Sequence, residues 1–377
     1  MERILHVVTQ MSAGGIETLL MTLYRTIDRE ELQFDFLVHR ESKGFYDDEI
    51  KNLGGKIYIV PALSANPIKY FIYLKKIKLF FKFCRNQYKI IHVHTGPFGV
   101  FVLRAAQKVG INIRIMHSHM APNNIDFKRI FREIVKIFIK RYATHFFACS
   151  KKAGVYMFGK KCEEDTRYYY FRNAIQTDKF TFNQDIRNEY RTGMNLERKF
   201  VVMHTGRFFY VKNHSFLIDI FFNLVKLHSN AILLLVGEDG PLKQNIEQKV
   251  SLLGLNDHVI FLGVRNDIQN LLQGADVFIF PSKYEGLPIA VIEAQAAGLP
   301  VFISDRISEE IKLTDLVTVI SLEIDANDWA KIILEKTSQI KRKNTYNEIV
   351  AKGYDSTESC KWLTNFYLQQ IDTAINK

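Results

Sequence analysis

A chain of 377 residues, 47% hydrophobic and 24% charged, exceeds the ~250–300 residues at which a single core stops growing, so two domains are expected. Its composition excludes a disordered chain, a collagen and a small disulfide scaffold. The formal charge of +11 is uneven: residues 1–180 hold 30 Lys and Arg against 16 Asp and Glu, the remainder 21 against 24, and Ile50 to Ile125 contain no acid. The N-terminal half therefore faces something negative, whether nucleic acid, an anionic membrane or an anionic substrate.

The N-terminus, from Met1 to Val8, reads as a short strand without the charged-then-apolar layout of a signal peptide. Further strand patterns follow the first at Ile4–Thr9: Phe34–His39, Ile57–Val60, Ile90–Thr95, Ile113–Met116 and His145–Cys149. Helix-period segments separate them, such as Phe127–Tyr142, where Phe127, Ile130, Phe131, Ile134, Val135, Phe138 and Tyr142 share one face. A second strand series runs through Phe200–His204, Ala231–Val236, Val259–Leu262, Val277–Phe280, Val301–Ser304 and Val317–Ser321. Between the series, the polar stretch Thr177–Lys199 carries Gly193 and no strong apolar period.

Such alternation gives parallel sheets covered by helices. The expectation is α/β: two Rossmann-like, doubly wound domains with an interdomain cleft, residues 1–178 and 200–355, joined by a linker at 179–199. Residues 356–377 are expected to form a C-terminal helix able to cross back to the first domain. No apolar run approaches the ~18–20 residues that span a bilayer, so membrane contact is expected to be peripheral. The scattered Cys84, Cys149, Cys162 and Cys360 form no CxxC pair and read as reduced structural thiols of a cytosolic protein.

Two motifs sit at strand-to-helix turns. In Ala13-Gly14-Gly15-Ile16-Glu17-Thr18, paired glycines let the backbone approach a ligand, and the helix start offers N–H groups to a phosphate. No G-x-G-x-x-G or Walker A pattern occurs. The second motif runs from Phe280-Pro281-Ser282 through Glu285-Gly286-Leu287-Pro288 to Glu293 and Gly298. Its backbone N–H groups at Gly286 and Leu287 suit a diphosphate, and its two acids suit sugar and ribose hydroxyls.

F-P-S-x-x-E-G-x-P-x-x-x-x-E-A-x-A-x-G-x-P resembles the signature of retaining GT-B enzymes of glycosyltransferase family 4. Gly14-Gly15-Ile16-Glu17 is most similar to its bacterial capsule and exopolysaccharide members. The resemblance implies that Arg207 and Lys212, within Gly206-Arg207-Phe208-Phe209-Tyr210-Val211-Lys212, hold the donor diphosphate and stabilise it as it leaves. It gives Glu285 to the donor sugar and Glu293 to the ribose, places Gly237–Pro241 in a loop after a strand, and sets Val264 or Arg265 beside the base.

In Ile115-Met116-His117-Ser118-His119, His119 occupies the catalytic register and His117 stands where the family usually has Thr. Glu17 and His117 are secondary, acceptor-side candidates, while His92, His94 and His204 read as structural. The resemblance further implies front-face attack with retention, in which the leaving diphosphate helps deprotonate the acceptor. No Asp-x-Asp occurs, so no metal and no cofactor are expected.

The segment Lys69 to Arg85 interleaves aromatics and cations. As a helix it would place Phe71, Leu74, Lys78, Phe81 and Arg85 along one side, a mixed face suited to an anionic membrane. The other reading is an apolar stripe on the core with a solvated basic face. No zinc-finger, RRM, KH or basic-zipper pattern occurs, and nucleic acid is not an expected partner.

The expectation is thus a cytoplasmic glycosyltransferase at the inner membrane face, moving a sugar from a nucleotide diphosphate, a UDP-sugar, to a lipid-linked glycan in capsule or exopolysaccharide synthesis. A nucleotide-sugar epimerase and a non-catalytic two-lobed sugar-binding module remain alternatives. The latter leaves the Arg207/Lys212 pair without a purpose.

Overall fold

Near-continuous apolar runs bounded by turns are what a strand covered on both faces requires, and they assemble into two parallel sheets in a computed structural model that describes residues 1–119 and 129–375. The first sheet contains β1 (Glu2–Val7), β2 (Leu32–Val38), β3 (Ile57–Ile59), β4 (Ile90–Val93), β5 (Ile113–Ser118), β6 (His145–Ala148) and β7 (Tyr168–Tyr170). Its order is β3-β2-β1-β4-β5-β6-β7. The second contains β8 (Phe200–Thr205), β9 (Ala231–Val236), β10 (Val259–Gly263), β11 (Val277–Phe280), β12 (Val301–Ser304) and β13 (Val317–Ile320), in the order β10-β9-β8-β11-β12-β13. β9, β11 and β12 keep the bounds expected from sequence; β7, a run of three tyrosines, was not expected.

All seven residues of β2 are buried, Asp35 included. That carboxylate is tolerated because Arg3 donates to both oxygens at 2.7 and 2.5 Å, Tyr88 donates its hydroxyl at 2.7 Å, and the Lys56 N–H adds a bond at 2.7 Å.

Two compact units result, Met1–Ala174 together with the helix Ser356–Ile375, and Ile175–Asp355. Within the first unit the Ser356–Ile375 helix packs on the Gly15–Thr26 helix and on β5, and its Tyr367 hydroxyl lies 2.6 Å from His92 Nδ1. The stretch expected as a linker at 179–199 is instead part of the second unit. It carries the helix Gln184–Gly193, capped by the Asn183 side chain, which accepts from the N–H groups of Asp185 and Ile186 at 2.8 and 3.1 Å. Arg187 and Arg191 tie this helix to Asp276, just before β11, at 2.5 and 3.1 Å. A helix held by charge pairs has no apolar period to advertise it. The two ends of the second unit meet where Ile175 N–H donates to Tyr354 O at 2.9 Å.

Two helices of the first unit face water differently from expectation. In Pro67–Phe83 the stripe turned to the core is Tyr73, Ile77 and Phe81, which replaces the expected side of Phe71, Leu74, Lys78, Phe81 and Arg85. Lys69, Lys75, Lys76, Lys78 and Lys82 are exposed, along with Ile68, Phe71, Ile72, Leu79 and Phe83. In Arg129–Tyr142 Val135 and Ile139 are buried, while Ile130, Phe131, Ile134, Ile137 and Phe138 are exposed. Phe127 lies outside the described residues. Among those residues, no helix is long and apolar enough to cross a membrane.

The core of the second unit centres on Trp329, which is fully buried among Phe221, Phe302 and Ile333 and whose indole N–H donates to Ser321 O at 2.9 Å. Trp329→Ala is expected to cost about 3–5 kcal/mol through lost burial and the cavity left behind. Urea unfolding checks this, and a loss below 1 kcal/mol would mean that Trp329 is not a core anchor.

Candidate functional site

In an open parallel sheet the crevice lies beyond the strand carboxyl ends, where successive connections run in opposite directions. In the second sheet that place is between β8 and β11. After β8 the chain passes Gly206 and Arg207, makes a tight turn at Tyr210–Lys212, bends through Asn213 at φ 58°, and enters the helix His214–Leu227. After β11 it runs through Pro281–Pro288 into the helix Ile289–Ala296.

The two loops are stitched together. Lys283 N–H donates to Val211 O at 2.8 Å, the Asn213 amide donates to Pro281 O at 3.1 Å, and the Lys283 ammonium sits 3.5 Å from the Tyr210 ring centroid. This framework brings Lys212 Nζ to 2.7 Å from Glu285 Oε1, with both side chains mostly buried, and 4.6 Å from the Phe280 ring centroid.

A third loop, after β9, leans on the first. Gly237 has φ 154°, and a Cβ there would lie 2.3 Å from Gly206 O, so a side chain would push the two loops apart. Arg207 turns to this third loop: its guanidinium is 3.3 Å from Glu238 and 4.5 Å from the Phe209 ring centroid, and its Nε donates to Asp239 O at 3.4 Å. It is half-exposed.

Glu293 stands in the Ile289–Ala296 helix, with Gly286 and Leu287 buried just ahead of that helix. It is half-buried and has no hydrogen-bond or ion-pair partner among the described residues, and burial pushes its carboxyl up to about 7. Val264 and Arg265 follow β10, where Arg265 donates twice to Asp267 at 2.8 and 2.6 Å. That bond holds the Asp267 carboxyl below its ordinary range. His204 Nδ1 donates to Ile279 O at 2.8 Å across β8 and β11.

The remaining candidates belong to the first unit. Gly14 caps the Gly15–Thr26 helix, whose first turn carries Glu17. The Glu17 carboxylate folds over Gly14, with Oε2 2.3 Å from where a Cβ would stand. His117 lies within β5 and His119 directly follows it.

These two imidazoles are not alone. His119 Nε2 is 2.9 Å from His94 Nδ1, and His94 Nε2 is 3.1 Å from His6 Nδ1. His117 Nδ1 is 3.1 Å from His92 Nε2, whose Nδ1 meets Tyr367. Burial pushes His6 and His119 down to about 3 and holds His92, His94 and His117 well below the usual imidazole range, so all five are neutral at pH 7. Set aside as structural from the sequence, His92 and His94 belong with His117 and His119, and His6 was missed. The H-x-H spacing in two neighbouring strands was the available signal, since i and i+2 share a face.

A hollow lined by Arg85, Lys89, Gly110 and Asn112 lies at the amino ends of β4 and β5, opposite the crevice end of that sheet.

Residues 186–345 match the family described as Glycosyl transferases group 1, and residues 13–175 match Glycosyltransferase Family 4. A putative glycosyltransferase EpsF of Bacillus subtilis is 34% identical over 97% of this chain and 96% of its own. An Escherichia coli UDP-Gal:alpha-D-GlcNAc-diphosphoundecaprenol alpha-1,3-galactosyltransferase is 24% identical over 100% of this chain and 98% of its own. The crystal structure of Anabaena Alr3699/HepE in complex with UDP-glucose superposes with a TM-score of 0.79 at 17% identity, covering 98% of this chain and 100% of that one, which shows a shared fold.

The raised carboxyl of Glu293 has a consequence for stability. The unfolded chain releases this proton near 4.5 and the folded chain near 7, so keeping the acid in place costs nothing at pH 4, progressively more up to pH 7, and a constant amount above. Glu293→Gln is therefore expected to stabilise the protein by about 1–3 kcal/mol at pH 8 and not at pH 4. Unfolding titrations at the two pH values test this; an equal difference at both would show that the acid carries no such cost.

Proposed function

Because the chain belongs to glycosyltransferase family 4, with two Rossmann-like domains of the GT-B fold, we propose that it transfers a sugar from a UDP-sugar to a lipid-linked glycan with retention of anomeric configuration, in capsule or exopolysaccharide synthesis. The observation that carries this is the Lys212–Glu285 pair at the β8/β11 crevice, with Glu293, which has no partner among the described residues, on the helix that follows. An ammonium beside a helix start suits a diphosphate, one carboxylate beside it suits sugar hydroxyls, and a second suits the ribose. The Escherichia coli relative, which takes its name from a UDP-Gal donor and a diphosphoundecaprenol-linked acceptor, supports the same substrate classes.

In this reading, charge that develops on the leaving diphosphate is met by Lys212, by Arg207 and by the backbone N–H groups at Gly286 and Leu287. These groups take the part that a divalent metal plays in other glycosyltransferases, and no resident metal is assigned at the diphosphate. Glu285 both orients the sugar and holds Lys212 in place. The leaving phosphate oxygen accepts the acceptor hydroxyl proton on the face it departs from. His119 donates a hydrogen bond to the sugar as a neutral imidazole, and His117, Gly14, Gly15 and Glu17 belong to the reading as groups of the first unit. Val264 or Arg265 borders the base.

The acceptor's lipid is met by the first unit at the cytoplasmic face of an anionic membrane. What supports this is the outward apolar face of the Arg129–Tyr142 helix, with Ile130 and Ile137 74% and 72% exposed, and the lysines exposed on Pro67–Phe83. Apolar insertion and cationic attraction add in such surfaces, each cation contributing about 1 kcal/mol.

Lys212→Ala and Glu285→Ala should each lower turnover about 10²–10³-fold, with the far-ultraviolet circular dichroism of the folded protein retained even as each lone charge lowers stability. Nucleotide release from a panel of nucleotide sugars, in the presence of lipid-linked acceptors, is the measurement; full activity in both variants would remove these residues from the mechanism. For the membrane, Ile137→Glu should markedly reduce co-sedimentation with vesicles containing anionic phospholipid and leave the unfolding midpoint in place. Co-sedimentation equal to that of the unaltered protein would take this helix out of the membrane contact.

A further inference from the structure

The imidazole cluster of the first unit is more elaborate than one hydrogen bond to a sugar requires. Five histidines from β1, from β4 and its end, and from β5 and its end converge there, with Tyr367 beyond them. Two triads, His94–His117–His119 and His6–His92–His94, each offer one ring nitrogen per residue within 4.8 Å of the others. We propose that His94, His117 and His119 form a binding site for a zinc-type divalent transition-metal ion, separate from the donor diphosphate.

The hydrogen bonds select this triad over its neighbour. His92 has both nitrogens engaged, Nδ1 with Tyr367 and Nε2 with His117, so it has no lone pair to spare. His117, by contrast, keeps a buried Nε2 with no partner among the described residues. In the tautomers that place the proton on His117 Nδ1, toward His92, and on His94 Nε2, toward His6, both rings keep a lone pair for an ion. That leaves Nδ1 of His94, 2.9 Å from Nε2 of His119. Nitrogens bound to one tetrahedral zinc at ~2.0–2.1 Å stand about 3.3 Å apart, so the His94–His119 separation needs to open only slightly.

Two of the ligands would then have their other ring nitrogen oriented by a partner: His94 by His6, and His117 by His92 and, through it, Tyr367. Fixing the tautomer through the far nitrogen is how protein metal sites hold histidine ligands. Three imidazoles leave a fourth position for water or a substrate oxygen, and imidazole sets suit zinc and cobalt better than magnesium or calcium. His94 and His119 retain slight exposure, 6% and 8%, which His6 and His92 lack at 0% and 1%. His119 is also the imidazole given to the donor sugar above, so the ion would compete with the sugar for it. The test below reads no transfer activity and stands apart from that role.

Co²⁺ added to the chelator-treated full chain at pH 7.5 should give a tetrahedral d–d absorption band that saturates at one equivalent and is displaced by Zn²⁺. The band should be lost in His117→Gln and in His119→Gln, each checked for an unchanged far-ultraviolet circular dichroism spectrum. It should be kept in His6→Gln. Tyr367→Phe, which removes only the outer partner, should weaken Co²⁺ affinity about 10-fold. No band in the unaltered chain would overturn the site, as would a band that survives in both ligand variants. Loss in His6→Gln with retention in His119→Gln would also overturn it, by moving the ion to the deeper triad.

Discussion

Lys212 and Glu285 come from loops far apart in sequence and meet at 2.7 Å because β8 and β11 are neighbours in a parallel sheet. Everything at the donor end of the second unit depends on that pairing of strands. Neither charge could stay mostly buried alone, since an isolated ion in such a place costs several kcal/mol. Each therefore makes the other tolerable, and the stitching of Lys283 to Val211 and Asn213 to Pro281 keeps them together. Glu293 has no such companion among the described residues, and its carboxyl holds its proton up to about 7. One crevice thus contains a compensated pair and an uncompensated acid, two different ways of keeping polar groups ready for hydroxyls and phosphate.

The first unit solves the same topological problem with neutral groups. Its crevice, between β1 and β4, gathers imidazoles whose burial removes their charge and which bond to one another through part of their ring nitrogens. The large positive excess of residues 1–180 is therefore not at this crevice. Much of it lies on exposed lysines of Pro67–Phe83 and on cations of Arg129–Tyr142, the same helices that expose apolar side chains. The near-neutral second unit spends its cations locally, at Lys212, Arg207 and the Arg187/Arg191 pair on Asp276.

Legibility followed the physics of each element. Strands such as β9 and β11, apolar throughout because both faces are covered, stood out with their true ends. The run from Phe280 to Gly298 was legible because several residue types fall at fixed spacing around one strand end. The helix Gln184–Gly193 was not, because arginines bonded to Asp276 hold it in place where an apolar stripe would ordinarily do so. The Pro67–Phe83 helix misled because its core stripe, Tyr73, Ile77 and Phe81, is only three residues wide in a segment apolar on every side. The histidine cluster was half-visible: the spacing within each strand could be read, but the adjacency of β1, β4 and β5 that unites the strands is a property of sheet order.

The chain path carries one more consequence. The first unit is closed by a helix, Ser356–Ile375, that is synthesised after the whole of the second unit, and that helix supplies the hydroxyl which meets His92. The second unit, by contrast, is a single uninterrupted stretch whose ends already touch at Ile175 and Tyr354. On the ribosome, the half that begins first must wait longest to be finished, with its buried imidazoles lacking their last partner until then. The order in which the units mature is thus the reverse of the order in which their synthesis begins.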